Sequence, residues 1–408
     1  MTFRTSPLSR SDAVFAAVLL AGGLASTLLI WRPGQWEVLA AKSVLLLLFA
    51  TLVAARPERC RANEIRIPLR VAAVALILLP LLGVLQSATS LSTVPHLSAL
   101  STVDWAAGLA VFLTASILSL RSTTRHVLLT ATAIIGAALC LLATLQFFTS
   151  NGRIFWIWPA AEPQVFGPFH SRNNYASFAL LLFPLVAWKG LHARLRWHYI
   201  AAAALIGASI VASGSRAGAA LFGLEALILF ARFHTIRSGK TVFAAAALLC
   251  AAIGISGWTH LHNKLSDEDP LRYRREMISS AIDMFRQRPV AGFGLGVYPA
   301  AYPAFAKFDS GHYVNHAHND WAELAAEAGI PAVTCLAIFL STILPAAIRS
   351  IWGLGVPIVF AHSLVDYPLQ RLGVSFWLFL IAALLLANHR SDPMHNHRVA
   401  FDGDLGSP

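Results

Sequence analysis

The sequence predicts an all-α, polytopic transmembrane bundle of about twelve helices with one long hydrophilic loop that carries an amphipathic helix. Three observations lead there. Of 408 residues, 57% are hydrophobic and 12% charged, with a mean hydropathy of +0.63, whereas a soluble globular chain carries about 25% charged residues. The apolar residues fall into runs of membrane-spanning length separated by short polar breaks. The basic residues alternate from loop to loop, as they do when Lys and Arg are retained on the cytoplasmic side.

The expected spans lie near 13–31, 37–55, 68–86, 104–120, 125–148, 174–190, 197–213, 217–233, 241–257, 329–348, 352–366 and 371–388. Arg4 and Arg10 precede the first run as in a signal peptide, yet the run is longer than a typical h-region and further spans follow, so it reads as an uncleaved first helix. The organisation is a bundle over 1–257, a long loop over 258–318, further transmembrane helices over 319–390 and a tail over 391–408. The four cysteines, Cys60, Cys140, Cys250 and Cys335, are scattered and suggest neither a disulfide framework nor a metal-type spacing.

A net charge of +11 and a pI near 10.0 could indicate nucleic acid, but the basic residues sit in short loops between apolar runs, and no nucleic-acid partner is expected. With the N-terminus inside, the inner segments collect Arg4, Arg10, Arg56, Arg59, Arg61, Arg66, Arg70, Arg121, Arg125, Lys189, Arg194, Arg196, Arg232, Arg237, Lys240, Arg349, Arg390 and Arg398. The short outer loops hold only Arg32, Arg153, Arg172, Arg216 and Arg371. Both termini are therefore expected to be cytoplasmic. The long loop, also outside, carries Lys264, Arg272, Arg274, Arg275, Arg286, Arg288 and Lys307; long loops cross largely regardless of charge.

Within that loop Leu271, Met277, Ile278, Ala281, Ile282 and Phe285 recur at helical spacing, opposite Arg274, Arg275, Asp283 and Arg288. This predicts an amphipathic helix lying on the bilayer or roofing the bundle. Pro289 ends it, and Gly292, Gly294 and Gly296 follow. Their alternate spacing is not G-x-G-x-x-G and no strand precedes them, so a nucleotide loop is disfavoured.

Two polar clusters map to the outer side. The first joins Gly167-Pro-Phe-His-Ser-Arg-Asn-Asn-Tyr-Ala176 to Ser213-Gly-Ser-Arg-Ala-Gly218. A single Arg near the headgroups is usually a snorkelling anchor, but Arg216 sits among glycines and serines that let backbone approach a ligand. The planar guanidinium also suits phosphate, so Arg172, Arg216 and Arg274 on one side suggest a diphosphate site. The second cluster is Asn315-His-Ala-His-Asn-Asp320, followed by Glu323 and Glu327 on one helical face. His312, His316 and His318 beside Asp309 and Asp320 could hold a metal, form a plain interfacial cluster, or supply a general base or proton carrier. Stacked carboxylates on one helix do not flank a substrate as glycosidase acids do, and orienting the histidines or arginines suits them better. His362 and Asp366 form another i, i+4 pair, equally open to a structural role.

These residues resemble the O-antigen ligase superfamily of bacterial membrane glycosyltransferases, over about 166–371. The most specific element is the family's His followed by Asn, Ser or Gln, nine residues and a Gly, matched by His318, Asn319, Asp320 to Ala328, and Gly329. Arg216 stands in a Ser-Arg-Ala-Gly turn similar to the family's Ser-Arg-Gly, with Ala217 in place of Gly. Arg274 matches the arginine before the helix ending at Pro289, and Gly292-Phe-Gly-Leu-Gly296 the glycines after it. Arg172 and Asn173 resemble an Arg-Asn-His segment, with Asn174 in place of the His, and His362-Ser-Leu-Val-Asp-Tyr-Pro368 a late motif.

The resemblance implies metal- and cofactor-independent glycan transfer, with inversion, from an undecaprenyl-diphosphate-linked donor to a glycan or lipid A-core acceptor hydroxyl. This would occur on the periplasmic face of the bacterial inner membrane. His318 would be the base and Arg216 and Arg274 would stabilise the leaving diphosphate. Arg172, Asn173, His316, Asn319 and Glu327 would contact substrate. The alternative class is a transporter of an anionic solute, which predicts charges near the midplane and repeated interrupted helices. Few charges answer that description, Lys42 and Glu225 being the main candidates, and no half-repeat is evident.

Overall fold

The computed structural model describes residues 8–32, 36–60, 66–160, 165–192, 196–233, 272–308, 311 and 313–387. The described residues are almost entirely helical: α1 (Arg10–Leu28), α2 (Trp36–Ala55), α3 (Ile67–Ala88), α4 (Pro95–Leu118), α5 (Ser122–Thr149), α6 (Arg172–His192), α7 (Arg196–Ala212), α8 (Arg216–Phe233), α9 (Arg272–Gln287), α10 (Tyr298–Ala301), α11 (Asp320–Arg349), α12 (Gly355–His362) and α13 (Leu372–Ala387). A two-stranded antiparallel ribbon, Arg153–Ile154 with Trp158–Pro159, leads from α5 toward α6. Among the described residues six helices, α1 to α5 and α11, are long and apolar enough to cross a membrane. The described residues form an all-α bundle of membrane type, with six such helices where about twelve spans were expected. The ninth expected span, near 241–257, lies outside the described residues.

Local sequence explains the helix starts. Pro68 and Pro95 occupy the first turns of α3 and α4, where a missing N–H costs nothing. The Ser9 and Asn319 side chains accept from Asp12 N and Ala322 N to cap α1 and α11. α4 begins well before its expected apolar edge because Pro95 and the buried Ser98 and Ser101 extend it. The eleventh expected span is shorter than predicted, a single 3-10 turn (Ile351–Gly353) followed by the eight-residue α12.

α13 is the central pillar, buried at every residue from Gly373 to Ala387. A helix apolar on all sides belongs inside a bundle. Close approach to it needs small residues on its neighbours. A Cβ at Gly108 of α4 would lie 2.6 Å from the Phe379 ring, and one at Gly23 of α1 2.3 Å from Phe376. Trp377 Nε1 donates to Thr27 Oγ1 at 2.8 Å.

One end of the bundle is strongly basic. There the buried Asp12 carboxylate receives Arg59 through two bonds of 2.9 and 3.3 Å and Arg121 at 3.2 Å. Arg125, also buried, donates to the carbonyls of Ser119 and Ala387, both at 3.3 Å. The N-termini of α6, α8 and α11 gather at the opposite end, termed here the site end.

α9 is the expected amphipathic helix, roofing a second small core of Met277, Ala281, Met284, Phe293, Tyr298, Tyr302 and Ala326. Its buried face differs from the apolar stripe read in the sequence. Ile282 is exposed, while Glu276 and Ser280 are buried. The reason is polar pairing. Glu276 Oε1 accepts from Ser280 Oγ at 2.9 Å and Lys307 N at 3.1 Å, and Oε2 accepts the Tyr302 hydroxyl.

The glycine run after α9 is a docking loop. α11 breaks at Gly329, whose φ is +68° and ψ −166°, and the loop inserts against the break. Phe293 N donates to Ala326 O at 3.0 Å, Gly294 N to Glu327 O at 2.8 Å and Ile330 N to Pro289 O at 2.8 Å. Gln86 of α3 ties both chains. Its Nε2 donates to Ala291 O at 2.7 Å and Glu327 O at 2.9 Å, while its Oε1 accepts from Leu295 N at 3.0 Å. A Cβ at Gly292 (φ +64°) would meet Glu327 O at 2.2 Å, and one at Gly329 would meet Val290 O at 2.3 Å. Gly292→Ala and Gly329→Ala are each expected to lower stability by about 2–4 kcal/mol through strain and overpacking. Gly223→Ala, at a helical site where a Cβ meets nothing within 4 Å, is expected to be neutral or mildly stabilising. Thermal unfolding of the detergent-solubilised variants checks the contrast.

Candidate functional site

The first two turns of α11 carry three acids on one face, Asp320, Glu323 and Glu327, all about 1% exposed. Buried carboxylates need hydrogen-bond donors, and here the donors are loop backbone. Asp320 Oδ2 accepts from Leu369 N at 2.9 Å, Glu323 Oε2 from Ala317 N at 2.6 Å and Glu327 Oε1 from Tyr298 N at 3.0 Å. Three loops are thereby fixed to one helix.

The histidine loop runs between α10 and α11. His316 Nδ1 pairs with Glu323 Oε1 at 2.8 Å, and its ring stacks on Tyr367 with centroids 4.2 Å apart. Burial, reinforced by the positive charges of Arg371 and His318, pushes the His316 imidazole well below its usual 6.5, with Asp366 opposing. His318 lies edge-on to the same Tyr367 ring at 4.9 Å, and its Nδ1 stands 3.4 Å from Asp366 Oδ1. That is an ion-pair distance, longer than a closed hydrogen bond. His318 has a left-handed φ of +53°, a conformation that costs a non-glycine residue about 1–3 kcal/mol and recurs at functional sites. Both histidines open onto a cavity of about 220 Å³ whose other walls come from α9, Tyr302, Tyr313 and Tyr367.

The arginines come together from other elements. Arg172 and Arg216 are half-buried first residues of α6 and α8. Their neighbours join the two helix ends, because Ser215 Oγ donates to Asn173 Oδ1 at 2.8 Å and accepts from Gly218 N at 3.1 Å. Two positive side chains thus sit on two positive helix N-termini, an arrangement suited to anions. α6 then leads toward the histidines. Ser177 Oγ bonds His362 Nδ1 at 2.6 Å, His362 feels the charge of Arg274, and Asp366, four residues on, faces His318.

Several buried polar atoms here have no hydrogen-bond partner: both Asp366 oxygens, His318 Nδ1, His362 Nε2, Asp320 Oδ1, Glu327 Oε2, Asn174 Oδ1 and Arg371 Nε. Such atoms are rare in native interiors without water or ligand beside them. Eight of the seventeen such atoms among the described residues fall in this one neighbourhood around the histidines and the start of α11, where they can receive polar groups.

The eight residues singled out in the sequence divide into groups. His316 and His318 share the cavity, and Arg172, Asn173 and Arg216 form the paired helix ends. Arg274 is half-buried on α9. The Asn319 Oδ1 caps α11 through Ala322 N at 3.0 Å, and Glu327 organises the Tyr298 turn. Gln86 and Arg371 were not among the site candidates, and Asp366 and Tyr367 were marked only through the His362 pair and the late motif. Asp366 had been paired with His362 by its i, i+4 spacing, but His362 bonds Ser177 instead and Asp366 faces His318. Arg371, read as an ordinary loop arginine, lies 5.1 Å over the Tyr367 ring and acts on His316. No group of three or more His, Cys, Asp and Glu side chains among the described residues is arranged to share a metal ion; His312 and Asp309 lie outside them. Of the midplane candidates, Lys42 pairs with Asp104, while both Glu225 oxygens are buried without a hydrogen-bond partner.

An all-helical membrane bundle with histidines, carboxylates and arginines concentrated at one end defines a membrane protein with a polar reaction-type site. Residues 201–337, about a third of the chain, match the family model described as O-antigen ligase, which supports the resemblance to the O-antigen ligase superfamily. The matched segment holds Arg216, Arg274, His316, His318, Asn319 and Glu327. Arg172, Asn173 and Asp366 lie outside it. No curated protein sequence matches the chain. The family domain supports a membrane transferase of ligase or polymerase type in polysaccharide biosynthesis.

The lowered His316 value has a sign. The unfolded chain takes up a proton that folded His316 refuses, so this contribution to stability is full above about pH 6.5 and declines on acidification. Acidification from about pH 7 to about pH 5 is expected to lower the unfolding temperature of the wild type relative to that of His316→Asn. The difference in slope separates His316 from the buried Asp320, Glu323 and Glu327 carboxyls, which burial raises and which act in the opposite sense. An unchanged slope in the variant would remove His316 as a source of acid sensitivity.

Proposed function

We propose that the chain is an inverting, metal-independent glycosyltransferase of the bacterial inner membrane. It moves a glycan from an undecaprenyl-diphosphate-linked donor to an acceptor hydroxyl on the periplasmic face, as a surface-polysaccharide ligase or polymerase. The observation that carries this reading is His318, held against Asp366 at the mouth of a cavity, at the same end of the bundle as the paired Arg172 and Arg216 helix termini.

The division of labour follows from charge. With Nδ1–H directed at Asp366, His318 keeps Nε2 as the lone-pair nitrogen that receives the proton of the acceptor hydroxyl. The acceptor oxygen forms a bond to the anomeric carbon as that carbon's bond to the donor phosphate oxygen breaks. The electron pair leaves with the undecaprenyl diphosphate. Arg216, Arg274 and Arg172, with the helix N-termini, stabilise the charge that grows on the diphosphate. Attack opposite the leaving group inverts the anomeric carbon. Asp366 acts as a positioning residue by fixing the imidazole tautomer, and His316, neutral and bound to Glu323, shapes the same loop.

His318→Ala and Arg216→Ala are expected to insert normally yet lower transfer by about 10²–10⁴-fold, with lipid-linked donor accumulating in the cell. Lipid and polysaccharide profiling of strains carrying each variant measures this, and normal glycan display by both would sink the mechanism. In a strain lacking the protein, missing attachment of long chains indicates a ligase and single repeat units a polymerase. Asp366→Asn is expected to give a smaller loss together with a shifted pH–rate profile. A loss with the wild-type pH profile would make Asp366 merely structural.

A further inference from the structure

The cavity beside the histidines differs in chemistry from the arginine cluster. Four of the chain's seven tyrosines line it, Tyr273, Tyr302, Tyr313 and Tyr367, together with the exposed Asn315. No Lys or Arg is among its described lining residues. Tyr273, Glu276 and Met277 of α9, spaced i, i+3 and i+4, face the cavity, while Arg274, about 100° further round the helix, acts on His362. Tyr302 is held in the wall by its bond to Glu276, whereas Tyr313 is 79% and Tyr273 52% exposed at the rim.

The Tyr367 ring is already stacked on His316 and approached by Arg371 at 5.1 Å, and Tyr302 is buried, so the open aromatic surface is that of Tyr273 and Tyr313. Open aromatic rings beside amide and imidazole groups, with no Lys or Arg among the described lining residues, suit a neutral ligand with one apolar face and many hydroxyls. A pyranose ring has that surface: its axial C–H bonds pack on an aromatic ring while hydroxyls meet amide and imidazole groups at the edge. The volume, about 220 Å³, falls below the roughly 300–1,000 Å³ of drug-sized pockets and matches one ring rather than an oligosaccharide. We infer that this cavity is the acceptor-sugar subsite, which holds one neutral pyranose ring on the rim tyrosines Tyr273 and Tyr313 and presents a hydroxyl to His318. The inference rests on the glycosyl-transfer reading above. The acceptor side follows from placement, since the cavity contains the base but none of the arginines assigned to the donor diphosphate.

The test uses the full chain in detergent, with Tyr313→Ala and Asn315→Ala chosen because both side chains are exposed at the rim. Saturation-transfer NMR is run with D-glucose, D-galactose and N-acetyl-D-glucosamine on the wild type, on His318→Ala and on both rim variants. At least one sugar is expected to receive saturation from the wild type and from His318→Ala, with the signal lost in the rim variants. In steady-state transfer, the rim variants are expected to raise acceptor KM about tenfold while donor KM changes by less than about twofold. No saturation of any sugar, a signal indifferent to the rim variants, or a rise confined to donor KM would overturn the subsite. Transfer lost in His318→Ala with unchanged acceptor KM in the rim variants would leave the transferase standing and the subsite rejected. Sugar saturation that vanishes in the rim variants of a protein with no transfer activity would do the reverse.

Discussion

The site end depends on three carboxylates buried on the first two turns of α11. Placing acids in an apolar interior is unfavourable unless donors meet them. Asp320, Glu323 and Glu327 each find a backbone N–H, from Leu369, Ala317 and Tyr298 respectively. Because all three project from one rigid helix face, the loops they hold are fixed in relation to each other. The His316 pairing and the placement of His318 follow from the Glu323 contact, and the Asp366–Tyr367 segment is held by Asp320, whose own N–H reaches Ser363 O at 2.9 Å and Asp366 O at 3.2 Å.

The break at Gly329 complements this clamp. A straight helix would present its backbone hydrogen bonds to itself and leave nothing for the 289–294 loop to join. The left-handed turn at Gly329 frees the Ala326 and Glu327 carbonyls and the Ile330 N–H, which the loop then satisfies. α9 is anchored through that same loop, so the roof over the cavity and the helix beneath it form one unit. Gln86 extends the unit to α3.

The two ends of the bundle use similar residues for opposite purposes. At the basic end Arg59 and Arg121 converge on Asp12, and Arg125 on backbone carbonyls, an arrangement that ties helix ends together. At the site end eight buried side-chain atoms remain without hydrogen-bond partners, against Thr124 Oγ1 and Arg125 Nε at the basic end, and His318 is held in a strained conformation. Closed pairing stabilises a fold; open pairing in a partly buried place prepares it for a ligand. The segment that matches the O-antigen ligase model, residues 201–337, holds His318, Asp320 and Glu327 of this second environment, while Asn174, His362, Asp366 and Arg371 lie outside it.

Apolar runs and charge alternation determined the helical membrane class and most of the helix positions, because burial in lipid leaves backbone no partner but itself. Local motif spacing likewise marked His318, Arg216 and Gly329, since a cap, a left-handed turn and a helix start are written in adjacent residues. Tertiary structure alone decided which polar groups meet. The i, i+4 rule paired His362 with Asp366, yet α6 supplied Ser177 to the histidine and left the aspartate for His318, 48 positions earlier in the chain. The apolar stripe of α9 was also misplaced, because Glu276 is buried by partners some 26 and 31 residues away. Partners distant in sequence leave no periodic signal; hydrogen-bond satisfaction inside the packed bundle selects them.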